Sequence, residues 1–311
     1  MEITWNGCSA TDWNDLIERA PQVALEQAWM YGAAYADSNA RAETHRAIVT
    51  AGGEPLALAQ IFCRRFGSLG MAGQLLRGPV LLRTATTSDD LAELITAVRS
   101  ALRQQKRAFF FWTPDAICKE AASAAARSTG MRPVITGYSS ACVDLTRSTE
   151  AMRSNLHGKW RNALTRAEAE SLKIDARTDQ RSIEWLLDKY DVLRRQRRFG
   201  GSSAEMLRII VDGSPKRQTL LVRAFKEGMA VGGALFVRHG CRATYIVGWS
   251  DPAARPLNVG TLLLWRGMTG MRDRGATSFD LGGIDTRKAP GIARFKLGTG
   301  GAPYTLPGTF L

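Results

Sequence analysis

The sequence has few cysteines and no long apolar run. Its five cysteines, an odd number, include no CxxC pair; they are Cys8, Cys63, Cys118, Cys142 and Cys241. This usage argues against a disulfide scaffold or a zinc site and favours a reducing compartment. No apolar run approaches the ~18 residues of a membrane-spanning helix, and the N-terminus lacks the regions of a signal peptide. We therefore predict a cytoplasmic protein without a metal, which meets any lipid-linked substrate peripherally.

The chain also lacks the motifs of several large enzyme classes. It has three histidines and no G-x-S-x-G elbow, which disfavours hydrolases with an activated serine or cysteine nucleophile. The absence of a G-x-x-x-x-G-K-[ST] loop argues against ATP as the energy source. No G-x-G-x-x-G follows a strand, which argues against a nicotinamide cofactor. A transferred group would have to arrive already activated, as an ester or a thioester.

Basic residues exceed acidic ones by 42 to 29, which gives a net charge of +13 at pH 7. Such an excess attracts polyanions, and it predicts a partner such as tRNA, a nucleotide-linked substrate or a phosphate-rich cofactor. A solvated basic surface without such a partner remains the alternative.

Two parts of the chain show the same order of predicted elements. Residues 49–58 align with residues 222–231 without a gap, and both are typical of a strand, a tight turn and a second strand. The same shift superimposes two helix patterns, each followed by an apolar strand. Duplication predicts two lobes, 1–147 and 148–298, with the segment 299–311 able to pack back on the first. Chance resemblance between two α/β segments is the alternative.

Two helices of the second half carry clustered cations. One helix is predicted to bury a stripe that includes Trp160 while presenting Lys159 and Arg161, and the next ends in Arg194, Arg195, Gln196, Arg197 and Arg198. These cations suit phosphate contacts with tRNA or a nucleotide-linked acceptor, although cations at a helix C-terminus also suit its dipole. Tyr245 and Trp249 share a predicted strand, where they face either a cleft or the core.

One segment partly matches a phosphate-binding loop. Residues 255–260 (Arg-Pro-Leu-Asn-Val-Gly) precede a predicted helix and resemble the acyl-CoA pyrophosphate loop, R/Q-x-x-G-x-G/A, with Asn258 in place of its first glycine. Backbone N–H groups at a helix start can hold phosphate. The asparagine departs from that pattern, and an ordinary helix start is the favoured explanation of the segment.

Residues 279–285 (Phe-Asp-Leu-Gly-Gly-Ile-Asp), followed by 291–298 (Gly-Ile-Ala-Arg-Phe-Lys-Leu-Gly), resemble the C-terminal signature of the Fem transferases. Further matching pieces occur in the family's order: 27–29, 77–79, 159–162, 190–199 and 245–250. The family comprises aminoacyl-tRNA-dependent peptidyltransferases of peptidoglycan cross-bridge synthesis and their N-acyltransferase relatives. The resemblance implies an α/β fold of two tandem GNAT-like lobes with a cleft between them. Each lobe would hold a mixed, mainly antiparallel sheet flanked by helices.

The resemblance also implies the site residues. Lys296, the lysine of the family's Phe-Lys motif, would lie in the cleft and stabilise the oxyanion formed when an amine attacks an aminoacyl ester. Asp285 is a candidate base, or a residue that fixes its turn. The proposed substrate-binding residues are Lys159, Arg161, Arg195, Arg198, Tyr245, Trp249, Gly282, Gly283, Arg294 and Phe295. The family's muramyl-binding lysine has no counterpart after Trp29, which argues against a muramyl acceptor.

Three functions follow as hypotheses. The first is transfer of an aminoacyl group from tRNA to an amine of a peptide, peptidoglycan-precursor-like or natural-product acceptor, with no cofactor. The second is N-acyl transfer from acyl-CoA or an acyl carrier protein on the same scaffold. The third is nucleic-acid binding without catalysis, which would leave the glycine-rich segment around Lys296 without a purpose.

Overall fold

The computed structural model describes residues 1–38, 40–67, 70–83, 87–105, 108–116, 119–198 and 200–311. These residues form two compact units, one of Met1–Tyr138 with Tyr304–Leu311 and the other of Ser139–Pro303. Cys118, and Phe199 at the end of one family-like segment, lie outside the described residues. No helix in the described part of the chain is long and apolar enough to cross a membrane.

The first unit contains both helices and strands. Its strands are β1 (Glu2–Trp5), β2 (Ala42–Ala51), β3 (Glu54–Arg65), β4 (Met71–Leu76), β5 (Val80–Leu81), β6 (Ala108–Thr113), β7 (Pro133–Ile135) and β15 (Thr309–Phe310). Its helices are α1 (Ala10–Arg19), α2 (Trp29–Asp37), α3 (Ser88–Gln105) and α4 (Lys119–Ser128), and a short 3-10 helix covers Leu25–Gln27.

The sheet of the first unit has the order β1-β2-β3-β4-β6-β15-β7, with β5 paired to β3. Neighbouring strands β1 to β4 pair antiparallel, whereas β4 and β6 are parallel. Helix α3 buries the apolar stripe that its 3.6-residue periodicity predicts, and the stripe packs on this sheet. The C-terminal strand β15 lies between β6 and β7.

The second unit follows the same plan. Its strands are β8 (Ser139–Asp144), β9 (Lys173–Arg177), β10 (Thr219–Lys226), β11 (Met229–His239), β12 (Arg242–Ser250), β13 (Ser278–Asp280) and β14, which begins at Ala302 and ends at Thr305. Its helices are α5 (Thr149–Asn155), α6 (Gly158–Ala169), α7 (Gln180–Arg197), α8 (Ala204–Asp212), α9 (Val259–Arg272) and α10 (Pro290–Leu297). Short 3-10 helices cover Lys216–Gln218 and Pro252–Leu257.

The second sheet has the order β14-β8-β13-β12-β11-β10-β9. Antiparallel pairs join β9 through β12, and β12 pairs parallel with β13. Helix α9 packs on the sheet through a nearly continuous apolar surface, and each fully buried Leu or Met of that surface contributes roughly 2 kcal/mol.

The predicted repeat is visible in the fold. The hairpin of β2 and β3 corresponds to that of β10 and β11, and α3 corresponds to α9, which in each case leads into the strand of the parallel pair. Both units are mixed, mainly antiparallel sheets with helices packed on them. The fold class predicted from the sequence is therefore confirmed.

Two boundaries differ from the sequence-based ones. Strand β8 precedes the predicted division between residues 147 and 148, yet it pairs antiparallel with β13 in the second sheet. The helix predicted through Met152 and Ala167 is broken into α5 and α6. At the break the Asn155 amide donates to the Gly300 carbonyl, and the His157 N–H donates to the Gly298 carbonyl. The bond from the His157 N–H takes the place of a helical one, and the Asn155 bond is made by its side chain.

Candidate active site

The parallel strands of the second unit separate after a short pairing. Arg242–Thr244 pairs with Ser278–Asp280, and among the described residues the ladder stops there, although β12 continues to Ser250. The equivalent strands of the first unit, β4 and β6, pair over Met71–Leu76 along their whole length. An opening beside β12 therefore forms in the second unit, whereas the pairing of the first unit closes the equivalent position.

Lys296 lies beside this opening, in the last turn of α10. Its side chain is buried, with 9% of the residue exposed, and its Nζ donates a hydrogen bond of 2.9 Å to the Gly283 carbonyl. The same nitrogen lies 5.8 Å from the ring centroid of Tyr245. Burial lowers the pKa of Lys296 to about 8, against the opposing influence of Asp280. The lysine thus holds an incompletely compensated positive charge at neutral pH.

The end of β13 and the turn after it carry two groups that interact with Lys296, the Asp280 carboxylate and the Gly283 carbonyl. Asp280 Oδ1 accepts hydrogen bonds from the Ser140 hydroxyl, at 2.7 Å, and from the Gly282 N–H, at 2.9 Å. Gly282 has a φ of +71°, and a Cβ there would lie 3.5 Å from Lys296 Nζ. Glycine at this position permits the left-handed backbone, whereas a Cβ would make only an ordinary van der Waals contact with the ammonium.

Two aromatic side chains stand next to Lys296. The Tyr245 ring packs on Phe236 with centroids 5.6 Å apart, and burial raises the pKa of Tyr245 to about 12. Tyr245 therefore remains a neutral phenol that can donate a hydrogen bond. Its hydroxyl lies over Gly248, where a Cβ would come within 2.1 Å of it. Phe295, the residue before Lys296, is half-buried.

Helix α10 is anchored by Trp160 of α6. The indole N–H donates a 3.0 Å hydrogen bond to the Phe295 carbonyl, and the two rings pack with centroids 6.2 Å apart. The indole also covers Gly298, where a Cβ would lie 2.5 Å from its Cδ1 atom. Because Trp160 is buried in the core with α9, it fixes the turn that carries Lys296.

A cavity of about 240 Å³ adjoins these residues. Tyr245, Gly248, Trp249, Gly260 and Phe295 line it together with residues of β11 and α9. Lys296 does not itself line the cavity, but its neighbours Tyr245 and Phe295 do. The cavity can therefore hold an acyl donor or acceptor next to a buried ammonium and a phenol. Gly248 and Gly260 leave room in it for an extended chain.

Residues 150–304 match the family described as the acetyltransferase (GNAT) domain. A solved structure of FemX has a TM-score of 0.84 at 14% identity, covering 100% of this chain and 96% of that one. Residues 150–304 therefore form a GNAT acetyltransferase domain, and the whole chain has the fold of FemX. The predicted resemblance and the predicted enzyme class are confirmed.

Two further solved structures resemble this acyltransferase in fold. One is a tandem GNAT protein from the clavulanic acid biosynthesis pathway, with a TM-score of 0.56 and 13% identity, covering 99% of this chain and 98% of that one. The other is the C-terminal domain of an Agrobacterium fabrum protein assigned as a lysylphosphatidylglycerol synthetase. Its TM-score is 0.60 at 16% identity, covering 97% of this chain and 92% of that one. A comparison with curated protein sequences gave no match.

Asp285, the candidate base, is exposed and has a structural role. Its Oδ1 accepts hydrogen bonds from the N–H groups of Lys288 and Arg287, at 2.8 and 2.9 Å. These bonds, that from Lys288 first, lower the pKa of Asp285. A carboxylate with a lowered pKa is a weak base. These hydrogen bonds indicate that Asp285 fixes the turn before α10. The sequence analysis gave this role as the alternative to that of a base.

The predicted cationic residues are dispersed over the surface of the acyltransferase. Lys159, Arg161, Arg198 and Arg294 are exposed, and the Arg161 guanidinium donates to a backbone carbonyl in α5. Arg195 forms an ion pair with Asp191 one turn earlier on α7. Among the predicted binding residues, Tyr245, Gly282, Gly283 and Phe295 lie next to Lys296, and Trp249 lines the adjoining cavity.

Several contributors escaped the sequence-based prediction. Trp160 was recognised as part of a buried stripe, but its bond to Phe295 depends on the packing of α6 against α10. Gly248 interrupts an apolar strand, a signal typical of close backbone approach. Ser140 lies 140 residues before its partner Asp280, and nothing in the local sequence marks it. No cluster of His, Cys, Asp or Glu suited to a metal ion occurs among the residues that the structure describes.

Proposed function

We propose that the acyltransferase moves an aminoacyl group from aminoacyl-tRNA to an amine, forming an amide without a metal and without a covalent enzyme intermediate. The observation that carries the proposal is the buried ammonium of Lys296, held beside Tyr245 at a cavity of the second unit. The acceptor is the amine of a peptide, of a peptidoglycan-precursor-like molecule or of a peptide natural product.

The chemistry needs a donor where negative charge develops. When the acceptor nitrogen attacks the ester carbonyl, the carbonyl oxygen becomes an oxyanion, and the carbon–oxygen bond to the ribose then breaks. A buried cation stabilises such an oxyanion more than one in water does. Lys296 supplies the cation, and the neutral Tyr245 phenol is a second candidate donor. Loss of one such donor typically costs ~3 kcal/mol of barrier, or on the order of a hundredfold in rate.

The proton balance requires no histidine. The attacking amine loses a proton as the amide forms, and the departing ribose oxygen gains one, so direct transfer between them completes the step. Because the reacting ester is already activated, positioning of the two substrates accounts for much of the remaining acceleration. The lowered pKa of Asp285 is consistent with a mechanism in which this carboxylate takes no proton.

Two observations support tRNA as the donor. The chain carries a net charge of +13, which favours association with a polyanion. Its fold resembles that of FemX over nearly the full length of both chains. Peptidoglycan-precursor chemistry for the acceptor rests on the Fem resemblance alone.

An acyl-CoA donor is the second candidate, and two observations favour it. Residues 150–304 match an acetyltransferase domain. In addition, Gly260 lines the cavity in the first turn of α9, a helix that begins after Asn258 in the left-handed conformation, with no side-chain cap. Uncapped N–H groups at a helix start suit phosphate.

The donor can be decided by one labelling experiment. The purified protein is incubated with a panel of radiolabelled aminoacyl-tRNAs or with labelled acetyl-CoA, together with a mixture of amines and short peptides. We expect amide formation that RNase abolishes and that Lys296→Met reduces on the order of a hundredfold. Transfer that resists RNase and requires acetyl-CoA would establish the second candidate. Tight RNA binding without transfer from any donor would refute both.

A further inference from the structure

Ser140 lies beside the turn that follows β13. It belongs to strand β8, and its side chain is fully buried. Backbone hydrogen bonds join β8 to the turn on both sides of this serine. The Leu281 N–H donates to the Ala141 carbonyl at 2.9 Å, and the Ile284 N–H donates to the Ser139 carbonyl at 2.8 Å. The place of Ser140 beside the turn is therefore fixed without its own hydroxyl.

The hydroxyl of Ser140 connects two groups of the turn. Its single proton is shared between Asp280 Oδ1, at 2.7 Å, and the Gly282 carbonyl, at 2.9 Å. The Gly282 N–H donates to the same Oδ1 atom at 2.9 Å. Asp280 is buried, and a buried carboxylate needs hydrogen bonds to compensate its loss of water. The Oδ1 atom of Asp280 is thus held from two directions.

Asp280 and Lys296 carry opposite charges on the same turn. A Cβ on Gly282 would lie 3.5 Å from Lys296 Nζ, while the N–H of this glycine reaches Asp280. The lysine nevertheless donates to a neutral group, the Gly283 carbonyl. Asp280 is near enough to oppose the effect of burial on the pKa of Lys296. Tyr245 also faces Nζ but stays neutral, because burial raises its pKa to about 12. The effective charge of the ammonium therefore depends on how closely Asp280 approaches it.

We propose that Ser140 is a positioning residue, whose hydroxyl holds the Asp280 carboxylate on the turn and so prevents it from neutralising Lys296. An ammonium that is paired with a carboxylate stabilises a developing oxyanion less than an uncompensated one does. The role of Ser140 rests on the proposed function, in which Lys296 stabilises that oxyanion. Without the hydroxyl, the carboxylate loses a donor and turns towards the ammonium on the other side of Gly282.

The charge state of Lys296 can be measured by NMR without any substrate. In protein labelled with carbon-13 lysine, the Cε resonance that is missing from Lys296→Met belongs to this side chain, and its dependence on pH gives the pKa. The wild type should titrate near pH 8. Ser140→Ala should titrate about one pH unit higher, because a closer carboxylate favours the ammonium. Asp280→Asn should titrate lower than the wild type, since it removes the charge that opposes the effect of burial.

Two comparisons separate this role from a general loss of packing. Ser214→Ala removes another buried hydroxyl of the second unit, which donates to the Ile210 carbonyl at 2.6 Å. This control should leave the titration of Lys296 unchanged. In a protein that already carries Asp280→Asn, Ser140→Ala should cause no further shift, because the carboxylate that the hydroxyl positions is gone.

The outcomes distinguish this role from the proposed reaction. An unchanged or lower pKa of Lys296 in Ser140→Ala would overturn the role of Ser140, as would an equal rise in Ser214→Ala or a rise that persists with Asp280→Asn. If acyl transfer occurs, Ser140→Ala should also lower kcat roughly tenfold and move the descending limb of the pH–rate profile to higher pH. A raised pKa in a protein that transfers no acyl group from any donor would uphold the control of Lys296 by Ser140 and refute the proposed function.

Discussion

Replacing Lys296 by Met should make the protein more stable while lowering its activity on the order of a hundredfold. Burial lowers the pKa of Lys296 from its ordinary value of 10.5 to about 8, so the folded state at pH 7 carries an ammonium that it disfavours. A difference of 2.5 pKa units corresponds to about 3 kcal/mol at 1.36 kcal/mol per unit. Methionine has a similar length and no charge, so the variant avoids this cost.

One interaction opposes the gain. The hydrogen bond from Lys296 Nζ to the Gly283 carbonyl is lost, which costs about 1 kcal/mol. Gly283 is exposed, so water can replace the donor. The expected net effect at pH 7 is an increase of about 2 kcal/mol in the free energy of unfolding of the second unit. Acyl transfer should fall on the order of a hundredfold, a trade of stability against function that is common at active sites.

The pH dependence has a definite sign. Between pH 8 and pH 10.5 the unfolded chain still binds the lysine proton and the folded chain does not, so the stability of the wild type rises with pH in that window. The advantage of Lys296→Met should therefore be fully present below pH 8 and disappear as the pH approaches 10.5. Lys216→Met, at an exposed position, is the matched control and should show no such trend.

Urea unfolding followed by tryptophan fluorescence at pH 7, 8.5 and 10 measures both quantities. The linear dependence on urea gives the free energy of unfolding, provided that the variant leaves the slope unchanged. A stability difference between Lys296→Met and the wild type that does not change with pH would refute the burial argument. A less stable variant at pH 7 would do the same.

Three further changes test the supports of Lys296. Gly282→Ala and Gly228→Ala both place a Cβ at a positive φ and should each cost about 1 kcal/mol. Gly282→Ala alone should lower transfer more than tenfold, because only its turn carries the Gly283 carbonyl that accepts from Lys296. Trp160→Phe and Trp112→Phe each remove an indole hydrogen bond to a backbone carbonyl. Only Trp160→Phe should lower kcat and shift the descending limb of the pH–rate profile near pH 8. An unshifted limb would count against the positioning role of Trp160. Asp285→Asn should lower kcat less than tenfold in steady-state assays, and a hundredfold loss would restore it as a base.

The sequence determined the fold because its signals are local and repeated. The spacing of apolar residues in α3 and α9, and the tight turns after β2 and β10, recur at one offset along the chain, which identifies a duplication before any contact is known. The glycines at 282 and 283 likewise marked the turn beside Lys296, because a left-handed φ, as at Gly282, restricts the residue type.

The tertiary structure decided everything that depends on long-range packing. The second unit has an opening because β12 pairs with β13 over a short length only. Strand propensity does not encode that length. The burial that lowers the pKa of Lys296 depends on how α6, α10 and the turn after β13 pack together. Among the arginines at the end of α7, Arg194 and Arg195 form ion pairs with Asp191. Arg197 instead lines a cavity beside Trp249. The helical pattern made all of them equivalent, since it records neither an ion pair nor the neighbouring strand.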